Sequence, residues 1–268
     1  MNLLEIEYCP FPLLPFKKKV KGGIPTCWDE IRGDQWVALL RLQNNKMGSD
    51  EFLGILSGIP RRIWRRFSRF AIWSLIQDLE WLHEPKPHHA FFMESLKLKG
   101  RRYMLPLPKL KRLSFGQFIY IDSLYAEYQS QASRRNLDRF VASLLQVPGG
   151  KFTDEQVDAL EPVVSQVPVE TCLALALNYQ MILDWLCQVY PLIFVPADAS
   201  ESENARKKKR NAAVRSRSQM WITLFDHLAG EDIVNHDRYS DLPFHTVMRH
   251  LSGRIRESMR QSRKPVKR

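Results

Sequence analysis

The sequence predicts a mainly α-helical protein, a multi-helix bundle with a small β-hairpin and a flexible basic linker near the C-terminus. Three observations lead there. Apolar residues recur every three or four positions through most long segments, the period of a helix with one buried face. Serine or threonine stands in front of several of these segments, where a side-chain oxygen can cap exposed backbone N–H groups. Alternation with period two, the mark of a strand, is confined to short stretches. With 268 residues, 44% of them hydrophobic, the chain can bury a sizeable core as one large domain or two small ones.

At the N-terminus, LEIEYC (3–8) alternates and reads as a short strand, and the proline-studded FPLLPF after it reads as irregular. Thr26 then caps a helix expected to run to about Gln43. Asp29 completes a short variant of a capping box, and Gly33 weakens the first turns. Residues 50–57 read as a short helix closed by Gly58.

Pro60 opens the most legible segment, PRRIWRRFSRFAIWSLIQDLEWLH. At 100° per residue Arg61, Arg62, Arg65, Arg66 and Arg69 share one face about 140° wide, and Ile63, Trp64, Phe67, Phe70 and Ala71 share the opposite one. Further along, Ile72, Trp73, Leu75, Ile76, Leu79, Trp81 and Leu82 surround the axis. That is the pattern of a single helix entering a core.

Pro85, Pro87, Pro106 and Pro108 exclude a long helix from 85–113, and Lys99-Gly100 supplies a turn between two short strands. Ser114 caps a helix to about Tyr128, and Ser133 or Asn136 starts another carrying Leu137, Phe140, Val141, Leu144 and Leu145. Pro148-Gly149-Gly150 is a turn. Thr153-Asp154-Glu155 begins a helix that Pro162 kinks or ends, and Pro168 sits at the start of a long apolar helix to Tyr190. Asn178, Gln180, Asp184 and Gln188 interrupt that helix, which therefore reads as central in a core rather than membrane-spanning. Residues 196–212 have the composition of a linker, two more helices fit 219–229 and 244–259, and the tail is basic. The expected domains are 1–195, a helical core with a small β element, then the linker 196–212, then a helical pair with its tail at 213–268.

Charge is distributed in blocks. The net charge is +11, yet residues 152–204 hold nine carboxylates and no lysine or arginine, between two strongly basic segments. Blocks of opposite sign can dock on each other or on copies of the chain, and they leave basic surface for an anionic partner. The four cysteines, Cys9, Cys27, Cys172 and Cys187, are spaced as free thiols of a reducing compartment, and the N-terminus lacks the order of a signal peptide. A cytoplasmic location is expected, without membrane insertion.

The sequence offers no glycine-rich phosphate loop and no Cys-x-x-Cys pair. Glu80-x-x-His83 has the spacing of a carboxylate-bridged iron site but lacks the second motif such a site needs. No catalytic, cofactor or metal residues are therefore expected. The arginine face Arg61, Arg62, Arg65, Arg66 and Arg69 is the candidate contact strip, with Asp154, Glu155, Asp158 and Glu161 as its mate. The alternative is nucleic-acid binding through the run Arg206, Lys207, Lys208, Lys209 and Arg210 and the tail, by counterion release.

Two stretches carry a family likeness. IPTCWDEIRGDQWVALLRL, and LKGRRYMLPLPKLKRLSFGQFIYIDSLYAEY followed by NLDRFVASLL, resemble small helical proteins encoded among the tail genes of tailed phages and prophages. The resemblance covers about 24–145 and rests on helix caps and apolar anchors. It implies a non-enzymatic tail-assembly factor, similar in role to chaperones that hold the long helical tape-measure protein. It implies no catalytic residues.

Overall fold

The computed structural model describes residues 1–10, 16–82, 86–147, 152–194, 221 and 238–262. The fold is mainly α-helical, and the chain divides into two compact units, Met1–His88 and His89–Arg268. The expected boundary at 196–212 lies outside the described residues, as do the turn at 148–150 and most of the helix at 219–229.

The first unit opens with an antiparallel pair, β1 (Asn2–Tyr8) and β2 (Lys18–Ile24), in register Ile6 to Val20. Strand β2 was not expected. Its sequence, KKVKGGI, has lysines and glycines where a strand normally shows branched residues, and its pairing with β1 supplies what the pattern lacks. Opposite charges face each other across the pair, Glu5 against Lys21 and Glu7 against Lys19. Lys19 Nζ lies 2.8 Å from Glu5 and 2.9 Å from Glu7. Gly22 is required for packing, because a Cβ there would stand 2.5 Å from the Ser57 carbonyl oxygen.

Thr26 does not cap a helix. Its N–H and hydroxyl donate to Glu30 at 2.8 and 3.0 Å, Glu30 also takes the terminal ammonium of Met1, and Trp28–Glu30 forms a single 3-10 turn. Helix α1 (Gly33–Gln43) starts only after it, which places Gly33 at the first position. Trp28 packs edge-on against Trp36 and Trp81. Helix α2 (Ser49–Ser57) ends at Gly58, whose φ of 72° is the left-handed conformation that glycine tolerates best.

The second unit contains the hairpin β3 (Ser95–Leu98) and β4 (Arg101–Met104), then α5 (Phe115–Ser130), α6 (Arg134–Leu144), α7 (Asp154–Val164) and α8 (Val169–Val189). Ser114, Ser133 and Thr153 cap α5, α6 and α7 as their positions suggest, accepting from Gln117, Asn136 and Gln156 N–H at 3.2, 3.1 and 3.4 Å. Pro162 is accommodated in the last turn of α7.

Helix α8 is central to this unit. It is the one described helix long and apolar enough to cross a membrane, and more than half of it is buried in the protein core, including Leu175, Tyr179, Ile182, Leu183 and Leu186. Its buried Asn178 fixes the preceding chain, donating to Ala90 O at 2.9 Å and accepting from Phe92 N–H at 2.7 Å. Arg134 ties three elements together. Its Nε lies 2.8 Å from Asp138 Oδ1 but aims its hydrogen at Oδ2, 2.9 Å away. Its Nη2 donates to the carbonyls of Val164, Ser165 and Val167 at 3.3, 3.1 and 2.7 Å, where α7 ends. A cation there also complements the negative end of the helix dipole.

The last helix, which we number α9 (Phe244–Ser262), belongs to the same core. Phe244 stacks 4.2 Å from Phe118, which is also edge-on to Phe194 and Trp221. The Trp221 indole N–H donates to buried Asp122 at 2.8 Å, and the Tyr179 hydroxyl donates to the same carboxylate at 3.3 Å.

Candidate functional site

The arginine-rich segment of the first unit is two helices, which corrects the expectation of one. Helix α3 (Arg61–Trp64) ends after a turn, and α4 (Arg69–Gln77) begins afresh. The break is made by Ser68, whose hydroxyl accepts from Ala71 N–H at 3.1 Å. Capping satisfies a backbone donor but resets the helical phase. The face that periodicity assigned to the core is divided as a result. Ile63 and Trp64 are buried before the break, and Ile72 and Ile76 after it. Phe67 is 38% exposed, Phe70 74% and Trp73 56%.

The five arginines part company for the same reason. Arg61 donates to Asp50 at 2.7 Å and lies 2.8 Å from Glu51, and Arg65 donates to Asp50 at 3.2 Å. The hydrogen bond from Arg61 holds the Asp50 carboxyl below its ordinary range. Arg66 donates to the carbonyls of Cys9 and Pro10 and lies over the Tyr8 ring, 5.3 Å from its centroid. These three arginines clamp α2 and the end of β1. Arg62 and Arg69 are exposed and make no ion pair among the described residues.

The exposed surface of α4 thus combines Arg69 with Phe70 and Trp73, whose rings lie 6.2 Å apart at one helical step of three. Its aromatic half was missed in the sequence because a continuous helical phase was assumed through Ser68. A serine three residues before the apolar restart was the available signal.

The four carboxylates proposed as a mate lie on α7. Asp154 and Glu155 occupy its first turn, where the Glu155 carboxylate is held low by its own backbone N–H and by Thr153. Asp158 is exposed, and Glu161 lies 3.1 Å from Arg135 and 3.7 Å from Arg139. Glu161 is therefore already paired within its own unit. The run Arg206, Lys207, Lys208, Lys209 and Arg210 lies outside the described residues, and so does His83 of the Glu80 motif.

No known protein family, curated protein or solved structure matches the chain.

Proposed function

We propose that this chain is a cytoplasmic assembly factor that acts by protein–protein contact, chaperone-like and tied to the building of a phage tail. The observation that carries the reading is the solvent-facing pair Phe70 and Trp73 on α4, the helix that begins with Arg69; Arg69, and Arg62 on α3, are exposed and make no ion pair among the described residues. Aromatic rings with arginine are the side chains that dominate binding energy at protein interfaces. Keeping two large rings in water costs free energy that a partner's apolar surface would recover. The guanidinium of Arg69 on the same helix favours a partner that carries carboxylates beside its apolar stripe, such as an acidic amphipathic helix of a long tail protein.

The test is co-expression with a phage tape-measure protein. The triple variant Arg62→Glu, Arg69→Glu, Trp73→Ser touches only exposed side chains, so its circular dichroism should match the wild type while the complex is lost. Co-purification unchanged from wild type would remove the reading. A wild-type dimer in sedimentation that the variant abolishes, with no tail protein bound, would reassign the surface to self-association. Tail-tube and tape-measure genes flanking this one would support the reading independently.

A further inference from the structure

We propose that the β3–β4 hairpin and the loop 107–113 of the second unit form a binding surface for the phosphodiester backbone of a nucleic acid, independent of the α4 surface. From Lys97 to Arg112 the chain holds seven basic residues and no acidic one. All seven are exposed. Lys97, Lys99, Arg101 and Arg102 stand on the hairpin, and Lys109, Lys111 and Arg112 on the loop.

Each group is held at a local cost. Lys97 and Arg102 are directly opposed across the strands, an arrangement of like charges that destabilises a sheet. The same chain pairs opposite charges across β1 and β2, so the like pair is a particular feature of this hairpin. At its tip Lys99 has φ 45° and Gly100 φ 80°. Both central turn positions therefore have positive φ, where asparagine, aspartate or glycine usually stands first. In the loop Lys109, Leu110 and Arg112 also have positive φ, at 60°, 51° and 64°.

The loop backbone is pinned. Lys109 N–H donates to His89 O at 2.6 Å, His245 Nε2 donates to Lys109 O, and Leu110 is buried beneath. Arg102 has Ser95 Oγ at 2.7 Å and Glu94 at 3.8 Å, and the other six make no ion pair among the described residues. Backbone strain and like-charge repulsion of this kind cluster at functional positions.

The chemistry favours phosphate over an acidic protein. Leu98 is buried, while Leu96 and Tyr103 pack on the core, leaving Leu107 as the large apolar side chain exposed beside the cations. Protein interfaces need desolvated aromatic or apolar anchors and are poor in lysine. A phosphate backbone needs only cations that displace counterions. Four of the seven are lysines, point charges suited to phosphate contacts, which carry no sequence information.

The experiment is fluorescence anisotropy of a labelled oligothymidylate and a labelled duplex with the full-length protein over a range of salt concentrations. Affinity should fall linearly on a log–log plot against salt, and Lys97→Gln with Arg102→Gln should flatten the slope by about 1.4–1.8, at 0.7–0.9 per phosphate contact. Lys97→Glu guards against misfolding. By placing opposite charges across the strands it should raise the melting temperature while weakening binding. Lys111→Gln, on the loop, should flatten the slope by about half as much as the pair. The proposal fails if neither oligonucleotide binds, or if the hairpin and loop variants bind like wild type and neutralising 206–210 alone removes the affinity. It also fails if poly-glutamate competes as well as an oligonucleotide of equal charge, which would assign the surface to acidic protein.

Discussion

Where α7 ends, three backbone carbonyls gather on the guanidinium of Arg134, and the same side chain neutralises Asp138, which is buried. Replacing Arg134 by methionine keeps the stem but strands a buried carboxylate and the carbonyls. Because the guanidinium is itself partly exposed, the loss should lie at the low end for a broken buried pair, about 3 kcal/mol, read from urea unfolding. Cys172 Sγ is 4.0 Å from the same Nη2. Burial is the larger influence and pushes its thiol from the ordinary 9.0 up to about 12, with Arg134 opposing. The unfolded chain then loses this proton first as pH rises. The contribution is complete below about pH 9 and disappears toward pH 12, at about 1.4 kcal/mol per pH unit in between. Alkylation of the native protein at pH 9 should label exposed Cys9 and Cys27 and spare Cys172. Labelling of Cys172 at the same rate would contradict its burial.

At the scale of elements, Ser68 decides how α3 and α4 present their side chains. If Ser68 caps α4, Ser68→Ala should destabilise the first unit by about 1 kcal/mol and speed exchange of the Ala71 amide hydrogen. A continuous helix through 68 would respond in the opposite sense, since alanine is the better helix former. The caps at Ser114, Ser133 and Thr153 were legible because each precedes an unbroken apolar period, and the hairpin was legible from Lys99-Gly100 between prolines. Strand β2 was not legible. Its lysines and glycines carry no strand signal, and its place depends on β1 and on the close approach of Gly22 to Ser57. The same limit hid Phe70 and Trp73. Periodicity identifies an apolar face but cannot tell which part of it finds a neighbour.

At the scale of the whole molecule, the net charge of +11 is unevenly committed. The charge blocks were visible in the sequence, but their division of labour was not. Three arginines of the strip are spent on the first unit and Glu161 is answered by Arg135 and Arg139, while among the described residues Arg62, Arg69 and six of the seven cations on the hairpin and the loop are exposed without an ion pair. Such commitments depend on which side chains meet in space, and one-dimensional spacing does not record that.

The buried carboxylate of Asp122 has a consequence of another kind. It takes the indole of Trp221 from 99 residues further along the chain, and Phe244 packs beside that indole's neighbour Phe118. Among the described residues these contacts join the segment that carries Trp221 and Phe244 to α5, so a cleavage site engineered between Phe194 and Trp221 should leave the two pieces associated. The nicked protein should migrate as a single species on a native gel and as two under denaturation.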